Sequence, residues 1–336
     1  MSEIEYISPS SDFEGLVVIH NRIEQFMSLL CLDTMDVRII GIWGIGGIGK
    51  TTRAEAVFNR ISGQFEGVCF MRNVRERIEK HGALDSLEHE VLSKVLDEEN
   101  LKLATPTILH PFIKERLNRK KVLIVFDDVN TFLQLETLVE VLNRCGLGSR
   151  MIMTSRDKQV LNNYVDDLDH IYEVVGLDHD EALELFRKYA FKKKNLTEDL
   201  IVLSKKILYY VKGNPLALKV LGLSLHGRSK QEWESALDNL QGIGDSKIFN
   251  VLKISYDGLN DKEKNLFLDI ACFFKGYFED NIAKLLDCKY SLSVLITKSL
   301  ITIEKGGIKM HDLLQEMGRE IVSRESPKNP SKRSRL

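Results

Sequence analysis

The sequence predicts a parallel α/β domain, then an all-α helical domain, then a winged helix. Two changes of rhythm and one hairpin carry that reading. Up to about residue 177, short β-branched apolar runs alternate with helical stretches, the pattern of a parallel sheet covered on both faces. From about residue 178 the spacing is almost entirely helical. Residues 301–310 then alternate about a Gly306-Gly307 pair, after three short helical stretches and before a last one.

The elements follow in order. Residues 1–14 are polar and read as a linker. Residues 16–30 lead from a short apolar run into an amphipathic helix. Residues 37–43, Val-Arg-Ile-Ile-Gly-Ile-Trp, are β-branched and mostly apolar, as a buried strand is. A glycine-rich turn follows, and then Ala54, Val57, Phe58 and Ile61 recur at helical spacing. Further strands are expected at 67–71, 122–126, 151–154 and 171–175, with helices at 84–96, 113–117 and 133–142. Asp178-His-Asp-Glu181 is a capping box opening a helix with Leu183, Phe186 and Ala190 inward. Pro215 stands at the first position of another helix. In the third part, helices are expected at 261–271, 280–286, 292–299 and 311–323. Residues 325–336 form a basic, proline-containing tail. The expected domains are therefore 15–177, 178–250 and 251–324.

Bulk properties narrow the function. The chain has 336 residues, enough for two or three cores. A net charge of −2 suggests neither a dedicated nucleic-acid binder nor a polybasic membrane protein. Cys31, Cys69, Cys145, Cys272 and Cys288 are scattered without metal or redox spacing, as expected for reduced thiols of a cytoplasmic or nuclear protein. Residues 1–6 lack a basic region followed by an apolar core, so no signal peptide is expected. The run at 122–126 is too short to span a bilayer.

The chemistry concentrates in a few blocks. Gly44 to Thr52 read Gly-Ile-Gly-Gly-Ile-Gly-Lys-Thr-Thr, the phosphate-binding pattern G-x-x-x-x-G-K-[ST] set between a strand and a helix. Gly44, Gly46, Gly47 and Gly49 let backbone N–H groups close around phosphate oxygens, and the helix N-terminus adds partial positive charge. Lys50 would reach the outer phosphates, Thr51 would ligate Mg²⁺, and Thr52 would lie beside them. Residues 122–126 run into Asp127 and Asp128. At the carboxyl end of a parallel strand, one of Asp127 and Asp128 would hold Mg²⁺, directly or through water, and the other would polarise an attacking water. Arg156 ends the next strand, where it fits a γ-phosphate contact or an ordinary surface arginine equally well. Met310-His-Asp312 opens the last helix.

Together, these blocks resemble the nucleotide-binding core (NB-ARC) of plant intracellular immune receptors, a branch of the P-loop switch ATPases. The likeness runs through 44–52, 65–76, 122–129, 148–157, 213–218, 267–276 and 310–312, in the family's order. Blocks 65–76 and 267–276 are similar to the subclass with a TIR domain upstream. The resemblance implies bound ADP or ATP with Mg²⁺. It implies that Val17, Val18 and Ile19 line the adenine pocket and that Pro215, with Leu216 beside it, packs on the adenine. It makes Arg156 the γ-phosphate sensor and His311 the contact to the ADP β-phosphate, and it gives the Mg²⁺ to Asp127 and the attacking water to Asp128. It also implies an ADP-bound off state, an ATP-bound oligomerising on state, slow hydrolysis at most, and upstream TIR and downstream leucine-rich-repeat domains in a full-length form. Val18, Arg53 and Asn130 depart from the family pattern. Two rival functions are a continuously turning-over ATPase and a transcriptional regulator. Residues 291–300 would be the recognition helix of the latter and carry one basic residue, so no direct nucleic-acid contact is expected.

Overall fold

Residues 17–81, 84–98, 111–130, 136–165, 167–191, 197–241, 248–327 and 329–335 are described by the computed structural model. The expected linker at 1–14 lies outside the described residues. One compact unit comprises Met1–Ile45 with Gly49–Val175, and the other comprises Gly46–Ile48 with Gly176–Leu336.

Among the described residues, the first unit is built on five strands: β1 (Arg38–Trp43), β2 (Gly67–Met71), β3 (Val122–Val129), β4 (Arg150–Ser155) and β5 (Ile171–Glu173). All pairings are parallel, in the order β2-β3-β4-β1-β5. Val122 to Phe126 and Met151 to Met153 are fully buried, which explains why these strands read as continuous apolar runs rather than alternating ones. Because β4 lies between β1 and β3, the carboxyl ends of three strands meet at one edge of the sheet. β3 runs three residues past the expected end at 126. Its register shifts between Phe126 and Val129, so Asp127 and Asp128 sit in a bulge inside the strand and not in a loop after it. The helix Glu136–Asn143 falls where one was expected at 133–142; residues 133–135 lie outside the described set.

A buried arginine ties the front of this unit together. Arg150 is wholly buried and donates to the carbonyls of Leu30, Cys31, Thr34 and Asp36, at the end of the helix Val17–Leu30 and the turn leading into β1. The Leu30 carbonyl is among those that a helix C-terminus leaves without an intrahelical partner. The Thr34 hydroxyl, then Arg38 and Arg150, hold the Asp36 carboxyl down at about 2.

The second unit is helical until its hairpin. Asp178 and Glu181 form the expected capping box on the helix His179–Ala190, and Leu183, Phe186 and Ala190 are buried. A second box, Asn260 with Glu263, opens Asp261–Asp269. A π-helical turn, Ile270–Phe274, continues that helix. Then come Glu279–Leu285, Lys289–Thr297, the antiparallel pair β6 (Thr302–Glu304) and β7 (Gly307–Lys309), and Asp312–Glu325. The hairpin turn is centred on Lys305-Gly306, not on the glycine pair. Both central residues have positive φ (49° and 78°), as a type I′ turn requires, while Gly307 pairs with Glu304 in the ladder. The last helix begins at Asp312, with His311 as its cap.

Gly213 shows how tightly this unit is closed. Its φ is +67°, and a Cβ there would lie 2.1 Å from the Leu177 carbonyl oxygen. Gly213→Ala therefore combines left-handed strain with a backbone clash, and should destabilise the unit by about 3 kcal/mol. Trp233 is buried in this unit, so its fluorescence in a Trp43→Phe background follows the transition during urea unfolding. An unchanged midpoint would contradict the prediction.

Candidate functional site

The glycine loop starts where β1 ends. Gly49 caps the helix Lys50–Ile61 in the left-handed conformation (φ +95°) and makes no side-chain bond to the first turn's amides. Lys50 is only 7% exposed. Its Nζ donates to the carbonyls of Gly44 (2.8 Å) and Ile45 (3.1 Å). Burial, followed by the nearby Arg156 charge, pulls the Lys50 pKa down to about 8, against the opposing pull of Asp128 and Asp127. Thr51 and Thr52 follow in the first helical turn, half-buried.

Thr154, on the middle strand β4, organises the two acids. Its hydroxyl donates to Asp127 Oδ1 at 2.7 Å and accepts from the Asp128 N–H at 2.9 Å. Thr51 Oγ1 donates to the same Asp127 oxygen at 2.8 Å, joining the start of the glycine-loop helix to the end of β3. Asp127 is 1% exposed, and burial pushes its carboxyl above the ordinary range despite both hydroxyls. The bulge turns the neighbouring carboxylate elsewhere. Asp128 sits at φ +58°, with Oδ2 2.9 Å from Arg75 Nε and Oδ1 3.6 Å from Arg156 Nε. The indole of Trp43, at the end of β1, donates to the Arg156 carbonyl at 3.2 Å. Asp127 thus faces the loop's hydroxyl, while Asp128 lies between two guanidinium groups.

Thr154 and Arg75 escaped sequence reasoning. Thr154 read as one more strand residue, and Arg75 read as an ordinary residue of the 65–76 block. Only strand order and the bulge assemble them with the acids.

Gly46 and Gly47 keep different company, within the second unit. Asn214 is fully buried and caps the helix Pro215–Leu225, accepting from the Ala217 N–H. Its Nδ2 donates to the Gly46 carbonyl at 2.9 Å, and the Leu216 N–H donates to the Gly47 carbonyl at 3.3 Å. A Cβ at Gly46 would lie 2.8 Å from Leu313 Cδ2, and one at Gly47 (φ +72°) would lie 3.0 Å from Asn214 Oδ1. Pro215 is buried at the first helical position, as expected. His311 is exposed, and its Nδ1 accepts from the Leu313 N–H at 3.1 Å. A neutral imidazole accepting at Nδ1 carries its proton on Nε2, which leaves that nitrogen a donor. Val17, Val18 and Ile19 form the first turn of Val17–Leu30; their side chains lie outside the described residues.

The residues present fit a nucleotide with a divalent cation. The loop is glycine where a Cβ would crowd it, and the lysine is buried beside it. Thr51 and Asp127 form a pair of hard oxygen donors, the type Mg²⁺ takes. A cation beside Asp127 would favour the charged carboxylate that burial opposes. Cys69 and Cys145 do not compete as metal ligands: burial pushes each thiol up to about 12.

Comparison with known proteins agrees with this chemistry. Residues 19–196 match the NB-ARC domain model, and residues 260–326 match the winged-helix domain of Roq1-like disease resistance proteins. Disease resistance protein RUN1 of Vitis rotundifolia is 42% identical over 96% of this chain and 24% of its own length. TMV resistance protein N of Nicotiana glutinosa is 41% identical over 97% of this chain and 29% of its own. The chain thus spans about a quarter of the length of these relatives. Among solved structures, Cdc6p from Pyrobaculum aerophilum superposes with a TM-score of 0.50 at 14% identity, over 95% of this chain and 98% of that one, a likeness of fold alone. No helix among the described residues is long and apolar enough to cross a membrane. With its parallel P-loop sheet, helical region and winged helix, the chain belongs to the NB-ARC family of plant disease resistance proteins, a family of nucleotide-binding domains.

Proposed function

We propose that this chain is the nucleotide-dependent switch of a plant immune receptor, off with ADP and on with ATP. The observation that carries this reading is the bonding of Gly46 and Gly47. The middle of the phosphate loop is hydrogen-bonded to the start of the Pro215–Leu225 helix and packed on Leu313, two residues after His311. A loop held by elements of a helical region and a winged helix can make its ligand affinity depend on their arrangement. Differential affinity is what any ligand-driven switch requires.

In this reading, Lys50 and the first-turn amides hold the outer phosphates and Arg156 reaches the γ-phosphate. Pro215 and Leu216 pack on the adenine with the 17–19 turn, and His311 Nε2 donates to the β-phosphate. Mg²⁺, held by Thr51 and Asp127, would neutralise charge on the phosphates. Asp128 orients the attacking water. Its oxygens are engaged with Arg75 and Arg156, which limits its hold on that water and favours slow hydrolysis. The on state self-associates, works in the cytoplasm and signals defence through TIR and leucine-rich-repeat domains of a full-length form.

Steady-state turnover separates the switch from a continuously working ATPase. A switch runs far below the enzyme median of about 10 s⁻¹, and a rate near that median would contradict it. Within the slow rate, Asp128→Asn should cost about a hundredfold in hydrolysis and less than about threefold in ATP affinity. Asparagine tolerates the positive φ, so the substitution tests the charge and not the backbone. Equal single-turnover rates for Asp128→Asn and wild type would remove Asp128 from the reaction.

A further inference from the structure

The last helix is seated on the π-helical turn by one face. Lys275, at the end of that turn, donates from Nζ to Asp312 Oδ1 and to Gln315 Oε1, each at 2.9 Å. The side chains of Lys275 and Asp312 are 9% and 14% exposed. Gln315 Nε2 donates onward to the Ala271 carbonyl at 3.1 Å. Three residues further on, Gly318 meets the same alanine: a Cβ on it would lie 2.5 Å from Ala271 Cβ. Asp312, Gln315 and Gly318 are spaced three apart and so line one side of the helix. The turn itself is pinned by the Lys275 N–H on the Ile270 carbonyl, five residues back.

We infer that Lys275 is a positioning residue for His311. A charge-assisted bond in a largely buried setting is strong, and removing one partner is costly. Lys275 applies that bond to the first helical residue, immediately after the His311 cap. With Gly318 fixing the far end against Ala271, the helix has one register on the π-turn. The histidine ring then keeps one direction. The clamp follows from the geometry alone, while its effect on nucleotide rests on the switch reading above.

The test is hydrogen exchange on the purified 336-residue chain, beside ADP dissociation measured by stopped flow. Lys275→Met keeps the apolar stem and removes the charge. Protection of the Leu313, Leu314 and Gln315 amides should fall about tenfold, with the sheet amides unaltered. ADP should leave about tenfold faster. Lys275→Arg keeps a donor and a charge and should retain most of the protection. Gly318→Ala, which forces the helix off Ala271, should lower protection at the same amides without touching the ion pair. Unchanged protection in Lys275→Met overturns the clamp. Lost protection with an unaltered off-rate, where His311→Ala does speed release, overturns its link to the nucleotide. If His311→Ala leaves the off-rate unaltered, the switch reading has failed, and lost protection in Lys275→Met still supports the clamp.

Discussion

Lys50→Ala should lower ADP affinity by about a hundredfold or more while leaving the circular dichroism spectrum intact. The lysine is a buried cation beside a loop otherwise built from backbone groups. Charge-assisted bonds to phosphate are worth about 3 kcal/mol, and nothing else in the loop replaces them. Folding should not suffer, because the substitution also removes a charge that burial opposes. The pH dependence has a definite sign. Lys50 titrates near 8 in the folded chain, against a usual lysine value of 10.5. Between those values the unfolded chain binds more protons, so this residue's contribution to stability rises with pH across that window. Phosphate favours the charged ammonium, so ADP binding should take up roughly half a proton or more at pH 8.5, and affinity should fall as pH rises through 8. Titration calorimetry in two buffers of different ionisation enthalpy measures the uptake. Equal uptake by wild type and Lys50→Ala would place the titration elsewhere, and unchanged ADP affinity would remove Lys50 from the site.

His311→Ala should raise the ADP off-rate by about ten- to a hundredfold. The expected loss is a bond from Nε2 to a charged phosphate, worth roughly 1.5–3 kcal/mol, made only in the closed state. The same ring also caps the last helix, and an alanine there costs about 1 kcal/mol of stability on its own. Two variants separate these effects. Asparagine is a good cap, but its shorter side chain holds its amide donor short of the Nε2 position, so His311→Asn should melt like wild type and still release ADP quickly. If His311→Asn restores the off-rate together with the melting temperature, the histidine is a helix cap and nothing more.

What could be read from residues alone was the local grammar. The Gly44–Thr52 pattern, the apolar run before Asp127 and the Asp178–Glu181 box each carry their reason within a few positions of sequence. The strand order was not legible, because parallel neighbours are joined by long crossovers. Two consequences followed. Asp127 and Asp128 read as the end of a strand, whereas a bulge directs one to Thr51 and the other to Arg75. Thr154 read as filler, whereas its place on β4 between the other two strands makes it the partner of Asp127. The hairpin turn shifted by one residue because lysine takes the left-handed conformation beside a single glycine. Lys275 had no local signal, since its partners lie 37 and 40 residues away.

The most direct test of the switch is the nucleotide the chain carries when it is purified with none added. Denaturing the protein and resolving the released nucleotides by ion-exchange chromatography gives identity and stoichiometry together. The switch predicts ADP at about one per chain, retained through gel filtration and lost in Lys50→Ala. Protein that emerges without adenine nucleotide, and that binds ADP no better than the Lys50→Ala variant does, would contradict it.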